Sequence, residues 1–196
     1  MNIDTNKYKF TESWYLLSEI KRYLIEFVSK TEKYNILEIG SFEGLSACGF
    51  SDNIMSHPGS TLDCVDPFIL SGTDEKITTK CVTTDTENFF RFNIENSQNA
   101  NKITFHKLTS DDFFLNNNKT FNLIYIDGCH EPEFIKNDME NSFDCLEKNG
   151  IMWMDDYGGN TTKDGKIAQY MHIFLEKYKG KYQIIHKNYQ LAIRKL

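Results

Sequence analysis

The 196-residue chain lacks several features that mark particular classes of protein. No apolar run is long enough for a transmembrane helix, because the longest runs have the length of one strand. Lysine and arginine are scattered, and the formal net charge is −6, so we expect no nucleic-acid partner. The polar start, Met1 to Asp4, lacks the apolar stretch of a signal peptide, so we expect a cytoplasmic protein that does not bind membranes.

Paired cysteines are also missing. None of the five cysteines stands in a Cys-x-x-Cys spacing, which excludes zinc-finger and thioredoxin-like proteins. Most of them lie in apolar segments, so we interpret them as buried thiols of a reducing compartment. Cys129 stands beside candidate site residues, and there a small residue fitted to a tight loop is favoured over a nucleophile.

Strand-like apolar runs alternate with segments of helical periodicity. The predicted strands are 35–39, 61–65, 103–108, 121–126 and 151–154, followed by a hairpin of 182–186 and 190–194. The alternation predicts an α/β fold with a Rossmann-like, doubly wound, mostly parallel sheet. We expect seven strands, helices on both faces and an antiparallel strand from the C-terminal hairpin.

The order of elements predicts a single domain over 1–196, in which a helical segment, 1–33, precedes the sheet-forming core, 34–196. Apolar residues at Trp14, Leu17, Ile20 and Leu24 predict one helix across 10–30. The stretch 69–101 has no clear pattern except a helix that Asp85 or Thr86 would cap. A homo-oligomer is left open.

Two predicted strands run directly into acidic residues. The strand 121–126 is followed by Asp127-Gly128-Cys129-His130, and 151–154 is followed by Asp155-Asp156-Tyr157. Because the carboxyl ends of neighbouring parallel strands meet in one crevice, we expect three carboxylates and a histidine to converge. Carboxylates are preferred ligands of hard divalent ions, and histidine is suited to accept a proton. The alternative for each residue is a structural cap of a turn or helix.

A glycine-containing loop follows the first predicted strand. It has the sequence Glu38-Ile39-Gly40-Ser41-Phe42-Glu43-Gly44, and its glycines let a ligand approach the backbone closely. The dinucleotide fingerprint GxGxxG is not met, because Phe42 and Leu45 take its second and third glycine positions. The acids Glu38 and Glu43 disfavour a pyrophosphate but suit a cationic ligand such as S-adenosylmethionine. A tight turn without a ligand is the alternative.

Polar residues also follow the second and third predicted strands. Asp66 is placed either to hydrogen-bond a ribose diol or to form the turn before Pro67. Ser110 and Asp111 are candidates for the adenine edge or for a helix N-cap, and these two roles are compatible.

With these motifs together, the chain from Asn35 onward resembles the class I S-adenosylmethionine-dependent methyltransferases. The two acid-ended strands are similar to its metal-dependent branch, which includes macrolide-sugar O-methyltransferases and cephalosporin-hydroxylase-like proteins. The terminal run, Tyr189 to Arg194, resembles the last strand of that family.

The resemblance implies roles for individual residues. The implied cofactor-binding residues are Glu38, Gly40, Ser41, Phe42, Glu43, Gly44, Asp66, Ser110, Asp111 and Asp127. The implied ligands of a magnesium or manganese ion are Asp127, Asp155 and Asp156. His130 would be the catalytic base, with Asp127 as a second catalytic residue. The implied reaction is methyl transfer to a hydroxyl group of a small molecule or sugar.

Other classes of function stay open. An NAD-type oxidoreductase shares this fold, but the missing glycines argue against it. A non-catalytic scaffold that binds a nucleoside cofactor is a second alternative, against which the retained acids and histidine argue. A nucleic-acid base methyltransferase is disfavoured, because Gly128-Cys129-His130 stands where such enzymes carry an (Asp/Asn)-Pro-Pro-aromatic run.

Overall fold

The computed structural model describes residues 1–69, 83–159 and 167–196. Its seven strands form one sheet in the order β3-β2-β1-β4-β5-β7-β6. The strands are β1 (Asn35–Ile39), β2 (Thr61–Val65), β3 (Ile103–His106), β4 (Phe121–Ile126), β5 (Leu146–Met154), β6 (Tyr182–Lys187) and β7 (Leu191–Lys195). The first five strands pair in parallel, whereas β7 is antiparallel to both β5 and β6. The predicted fold class is confirmed.

Helices cover both faces of the sheet, which is why the central strands are almost wholly apolar. The helices are α1 (Glu19–Tyr23), α2 (Leu45–Asn53), α3 (Thr86–Glu95), α4 (Ser110–Asn116), α5 (Pro132–Cys145) and α6 (Ile167–Lys177). In β4, Leu123 and Tyr125 join the core under the N-terminal segment, α2 and α3, while Ile124 and Ile126 join the core under α4, α5 and α6. None of the described helices has the length and apolar character needed to cross a bilayer.

The predicted continuous helix over 10–30 is wrong. Two short 3-10 turns, Trp14–Leu17 and Leu24–Glu26, flank the five-residue helix α1. Ser18 separates the first of these turns from α1, because its backbone is extended, with φ −66° and ψ 152°. Its side chain caps α1 by accepting from the Lys21 N–H. Ile20 is fully buried while Leu17 is 73% exposed, so only part of the apolar pattern faces the core.

Other boundaries also differ from the prediction. Strand β5 begins at Leu146 rather than 151, because Leu146 already pairs with Phe121 before an irregularity in the register. Strand β3 ends at His106 rather than at 108. Asp85 stands at the N-cap position of α3, but its side chain makes no capping hydrogen bond. Residues 70–82 of the stretch without a clear pattern lie outside the described residues. The single-domain division stays a prediction.

Candidate active site

The loop between β1 and α2 lies directly against the loop that follows β4. Gly40 has φ +82°, and a Cβ atom on it would lie 2.0 Å from the carbonyl oxygen of Asp127. Gly44, at the end of the loop, has φ +80°. Only glycine permits this backbone conformation together with so close an approach at residue 40. The glycine loop and the first acidic residue are therefore brought together.

Asp66, which follows β2, anchors the glycine loop. Its Oδ2 accepts the N–H groups of Ser41, at 3.0 Å, and Phe42, at 2.9 Å. Its Oδ1 accepts the N–H of Phe68, at 2.8 Å, which forms the turn around Pro67. These three bonds occupy three of the roughly four acceptor sites of a carboxylate, so about one site is left.

The carboxylates of Glu38 and Glu43, the two acids of the glycine loop, form hydrogen bonds with other groups of the chain. Glu38 is fully buried and accepts from the hydroxyls of Ser41, at 2.6 Å, and Ser46, at 2.5 Å. Burial raises the pKa of Glu38 to about 7, although the two serine bonds oppose that shift. Glu43 is 2% exposed and accepts both the backbone N–H and the hydroxyl of Thr11, each at 2.6 Å. Both carboxylates are therefore buried, and they stabilise the loop through hydrogen bonds within the protein.

Phe42 is the member of the loop that faces outward. It has φ +47°, and its ring stacks on Trp14 with a centroid separation of 5.5 Å. Trp14 is 58% exposed, so this aromatic pair covers the loop from the side of the N-terminal segment. The sequence periodicity predicts Trp14 on the buried face of a helix, and the structure differs from that prediction.

Ser110 and Asp111 lie in the first turn of α4, and the N-cap is Thr109, which accepts from the N–H of Asp112. Asp111 accepts from the amide of Asn137, at 3.2 Å. Asp111 therefore connects α4 to α5, and Ser110 does so through its hydrogen bond with Asp138.

The acids that end β4 and β5 converge on one tyrosine. The hydroxyl of Tyr125 lies 3.0 Å from Oδ2 of Asp127 and 2.9 Å from Oδ2 of Asp155. A phenol has a single proton, so it can donate to only one of the two carboxylates at a time. The other close contact between oxygens then needs either a proton on an acid or a nearby cation.

Asp156 connects two further residues of the crevice. Its backbone has φ +56°, which aims its side chain at two partners. Oδ1 accepts from the Tyr189 hydroxyl, at 2.6 Å, and Oδ2 lies 2.9 Å from Nε2 of His130. His130, predicted as a base or as a helix cap, is thus placed beside a carboxylate.

The acids differ in their pKa values. Burial first, and then repulsion from Asp155 and Asp156, raise the pKa of Asp127 well above its usual range. Burial and Asp156 likewise raise the pKa of Asp155. The pKa of Asp156 is lowered, because the bonds from His130 and Tyr189 outweigh its burial. The pKa of His130 is raised, since its contact with Asp156 outweighs its burial.

Three groups lie close enough to share a metal ion. One ligand atom each from Asp127, His130 and Asp156 lies within 4.8 Å of the others. This set differs from the predicted one, because His130 stands in it where Asp155 was expected. Asp155 accepts instead from the amide of Gln190 and the N–H of Asp156, both at 2.7 Å.

Sequence reasoning missed three residues of the crevice: Tyr125, Tyr189 and Gln190. Tyr125 is 1% exposed and alternates with apolar neighbours along β4, so its pattern is that of an ordinary core aromatic. Tyr189 and Gln190 lie in the predicted C-terminal hairpin, far from the acids in sequence. Only the antiparallel pairing of β7 with β5 brings them to the crevice.

Comparison with known proteins finds similarity in both sequence and structure. Residues 37–157 match the family described as a methyltransferase domain. No curated protein matches the chain.

Among solved structures, precorrin-6y C5,15-methyltransferase from Geobacter metallireducens has a TM-score of 0.68 at 12% identity, over 100% of this chain and 98% of that one. The O-methyltransferase from Bacillus cereus in complex with SAH has a TM-score of 0.65 at 13% identity, over 98% and 85% of the two chains. The O-methyltransferase TomG from Streptomyces achromogenes, involved in tomaymycin synthesis and in complex with SAM, has 0.62 at 13%, over 90% and 78%.

At these identities the solved structures show a shared fold. The family match carries more, because it covers over half of the chain and includes both the glycine loop and the acids that end β4 and β5. The protein therefore belongs to this family of methyltransferase domains.

Proposed function

We propose that the protein is an S-adenosylmethionine-dependent O-methyltransferase that acts, with a divalent metal ion, on a hydroxyl group of a small molecule or sugar. The observation that carries this proposal is the contact between the glycine loop and the acidic crevice at Gly40 and Asp127. A cofactor on that loop would lie beside the groups that can bind an ion and accept a proton. Methyl transfer requires this adjacency, because donor and acceptor atoms must meet in line.

The electrostatics of the crevice support S-adenosylmethionine rather than a dinucleotide. Burial first, and then repulsion from Asp155 and Asp156, raise the pKa of Asp127, and a sulfonium or an ammonium group would relieve that repulsion. A pyrophosphate would add negative charge to the same place. In this proposal, Asp66 would use its remaining acceptor site for a ribose hydroxyl, and Ser110 and Asp111, in the first turn of α4, would meet the adenine.

His130 is the proposed base. The cofactor supplies an electrophilic methyl group on sulfur. In the proposed transfer, His130 would take the proton that the acceptor hydroxyl gives up. When Nε2 donates to Asp156, the tautomer is set and Nδ1 is left as the nitrogen that accepts the proton. Asp156 also stabilises the imidazolium that results.

The residues present fit a divalent ion. Carboxylates with raised pKa values that share one phenolic proton form a site that gains from a bound cation. When bound, the ion would supply Lewis acidity that makes the hydroxyl more acidic. Asp127 and Asp156 are ligands in either of two arrangements. In one, Asp155 is the third ligand and His130 stays free as the base; in the other, His130 is the third ligand.

Mn²⁺ binding separates the two arrangements. In titration calorimetry, His130→Ala leaves the Mn²⁺ affinity nearly unchanged if Asp155 is the third ligand, whereas Asp155→Asn weakens it strongly. The reverse ranking assigns the third position to His130 and removes it as the base. Full activity in the presence of EDTA would refute the metal dependence altogether.

Ligand-induced thermal stabilisation tests the cofactor class. We expect S-adenosylmethionine and its demethylated product to raise the melting temperature, because a ligand that binds only the folded state stabilises it. Stabilisation by NAD(H) alone would establish the oxidoreductase alternative. Binding of S-adenosylmethionine without turnover on any hydroxyl acceptor in a sugar and small-molecule panel would favour the non-catalytic scaffold.

A further inference from the structure

Gln190 lies between the N-terminal segment and the acidic crevice. It immediately precedes β7 and is fully buried. Its backbone N–H donates to Oε2 of Glu19, at 2.7 Å, and its side chain reaches past Trp153 to Asp155. Gln190 thus joins α1, the end of β5 and the start of β7, which are far apart in sequence.

The orientation of the Gln190 amide is determined by its partners. Oε1 accepts from the backbone N–H of Ile20, at 2.6 Å, and from the indole N–H of Trp153, at 2.8 Å. Both of these groups can only donate, so the oxygen must face them. The NH₂ group is therefore left to face Asp155, where Nε2 lies 2.7 Å from Oδ1.

The opposite end of this contact is also fixed. Oδ1 of Asp155 accepts a second bond from the N–H of Asp156, and Oδ2 lies against the Tyr125 hydroxyl. The Gln190 bond is the one that ties the carboxylate to the rigid framework of β7 and α1. Glu19 reinforces that framework by accepting from His186, at 2.8 Å, and Asn188, at 2.6 Å.

We propose that Gln190 is a positioning residue, which holds the Asp155 carboxylate in the orientation that the crevice requires and makes that orientation depend on the docked α1 segment. This inference rests on the proposed function, in the arrangement where Asp155 is the third ligand of the metal ion. The proposal also assigns a role to the interruption of the N-terminal helix before α1. Because α1 begins afresh at Glu19, its first turn has a free N–H, that of Ile20, which Gln190 satisfies.

Two substitutions separate positioning from simple structural support. Gln190→Glu keeps an acceptor for Ile20 and Trp153 but turns a carboxylate oxygen toward Asp155. Gln190→Met has a similar length and removes every polar contact. Gln183→Glu on exposed β6 adds the same charge away from the crevice and serves as the matched control.

The first readout is independent of any metal. In crystal structures, we expect the Asp155 carboxylate to turn away from residue 190 in both variants, by repulsion in one and by loss of the donor in the other. The indole N–H resonance of Trp153 reports the fold: it should stay at its position in Gln190→Glu and shift in Gln190→Met. An Asp155 carboxylate that keeps its orientation in both variants overturns the inference.

The second readout connects Gln190 to the proposed site. Partners that orient a ligand from outside a metal site typically contribute about 10- to 100-fold in affinity, so Gln190→Met should weaken Mn²⁺ binding by that factor, while Gln183→Glu should leave it unchanged. Wild-type Mn²⁺ affinity in Gln190→Met, despite a turned Asp155, would refute a role in the metal site. If the wild-type protein binds no Mn²⁺, the metal proposal fails, and the orientation of Asp155 still decides the role of Gln190.

Discussion

The buried acid of the glycine loop makes a specific prediction about stability and pH. Burial raises the pKa of Glu38 from 4.5 to about 7 in the folded protein. The folded state therefore binds an extra proton between these two values, and stability falls as the pH rises through that window. At about 1.4 kcal/mol for each tenfold change in proton affinity, the loss between pH 4 and pH 8 is about 3 kcal/mol.

Glu38→Gln removes this titration with little change in packing. The amide oxygen still accepts from one serine hydroxyl, and the amide NH₂ can donate to the other, so both Ser41 and Ser46 stay paired. Relative to the wild type, the variant should gain about 3 kcal/mol between pH 4 and pH 8. For a protein of this size that corresponds to roughly 6–12 °C in melting temperature.

The assay is urea unfolding at closely spaced pH values, because the difference between variant and wild type cancels the titration of groups that the substitution does not affect. Glu12→Gln, on the exposed surface, is the control and should follow the wild-type curve. A constant difference between Glu38→Gln and wild type across pH 4 to 8 would show that the folded and unfolded states share one pKa for Glu38. The account of the loop as held by a buried, poorly solvated acid would then be wrong.

Three further predictions concern the same crevice. In thermal denaturation, Gly40→Ala should lower the free energy of unfolding by more than about 4 kcal/mol or prevent folding. Gly180→Ala, where φ is +82° but nothing lies within 4 Å, should lower it by only about 1–2 kcal/mol. Equal losses would refute the close approach of Gly40 to Asp127. Asp66→Ala leaves three backbone N–H groups without their acceptor, so we expect a loss of about 3 kcal/mol or more in urea unfolding, and a loss under 1 kcal/mol would contradict its anchoring role. His130→Ala should slow methyl transfer by about 10²- to 10⁴-fold with S-adenosylmethionine affinity unchanged in calorimetry, and a near-wild-type rate removes it as base.

The parts of the fold that follow from local pattern are the parts that sequence predicts well. Strands β1, β2 and β4 are short apolar runs with sharp ends, and their bounds match the prediction. Because these strands are buried on both faces of a parallel sheet, each is a continuous apolar run that can be recognised from its own sequence. The acids at the ends of β4 and β5 are predictable for the same reason, since the change from apolar to acidic residues marks the edge of the sheet.

The rest depends on contacts between distant residues. The apolar spacing from Trp14 to Leu24 is correct for a helix, but the bonds between Glu19, Ile20 and Gln190 favour a fresh helix start after Ser18. Nothing near Gln190 in the sequence indicates that its amide meets Asp155. The third member of the ligand cluster was likewise beyond local pattern, because the positive φ of Asp156 decides which side chain lies next to His130.

The negative charge of the crevice favours binding of both the proposed cofactor and the proposed metal ion. Tyr125 has one proton for two carboxylates, and His130 is already paired with Asp156. Asp127 is therefore the acid with the least compensation, and it is the acid whose backbone touches Gly40. A cation bound on either side of Asp127 would lower its pKa and stabilise its charged form. The sulfonium and the divalent ion should for that reason each favour binding of the other, as far as both act through Asp127.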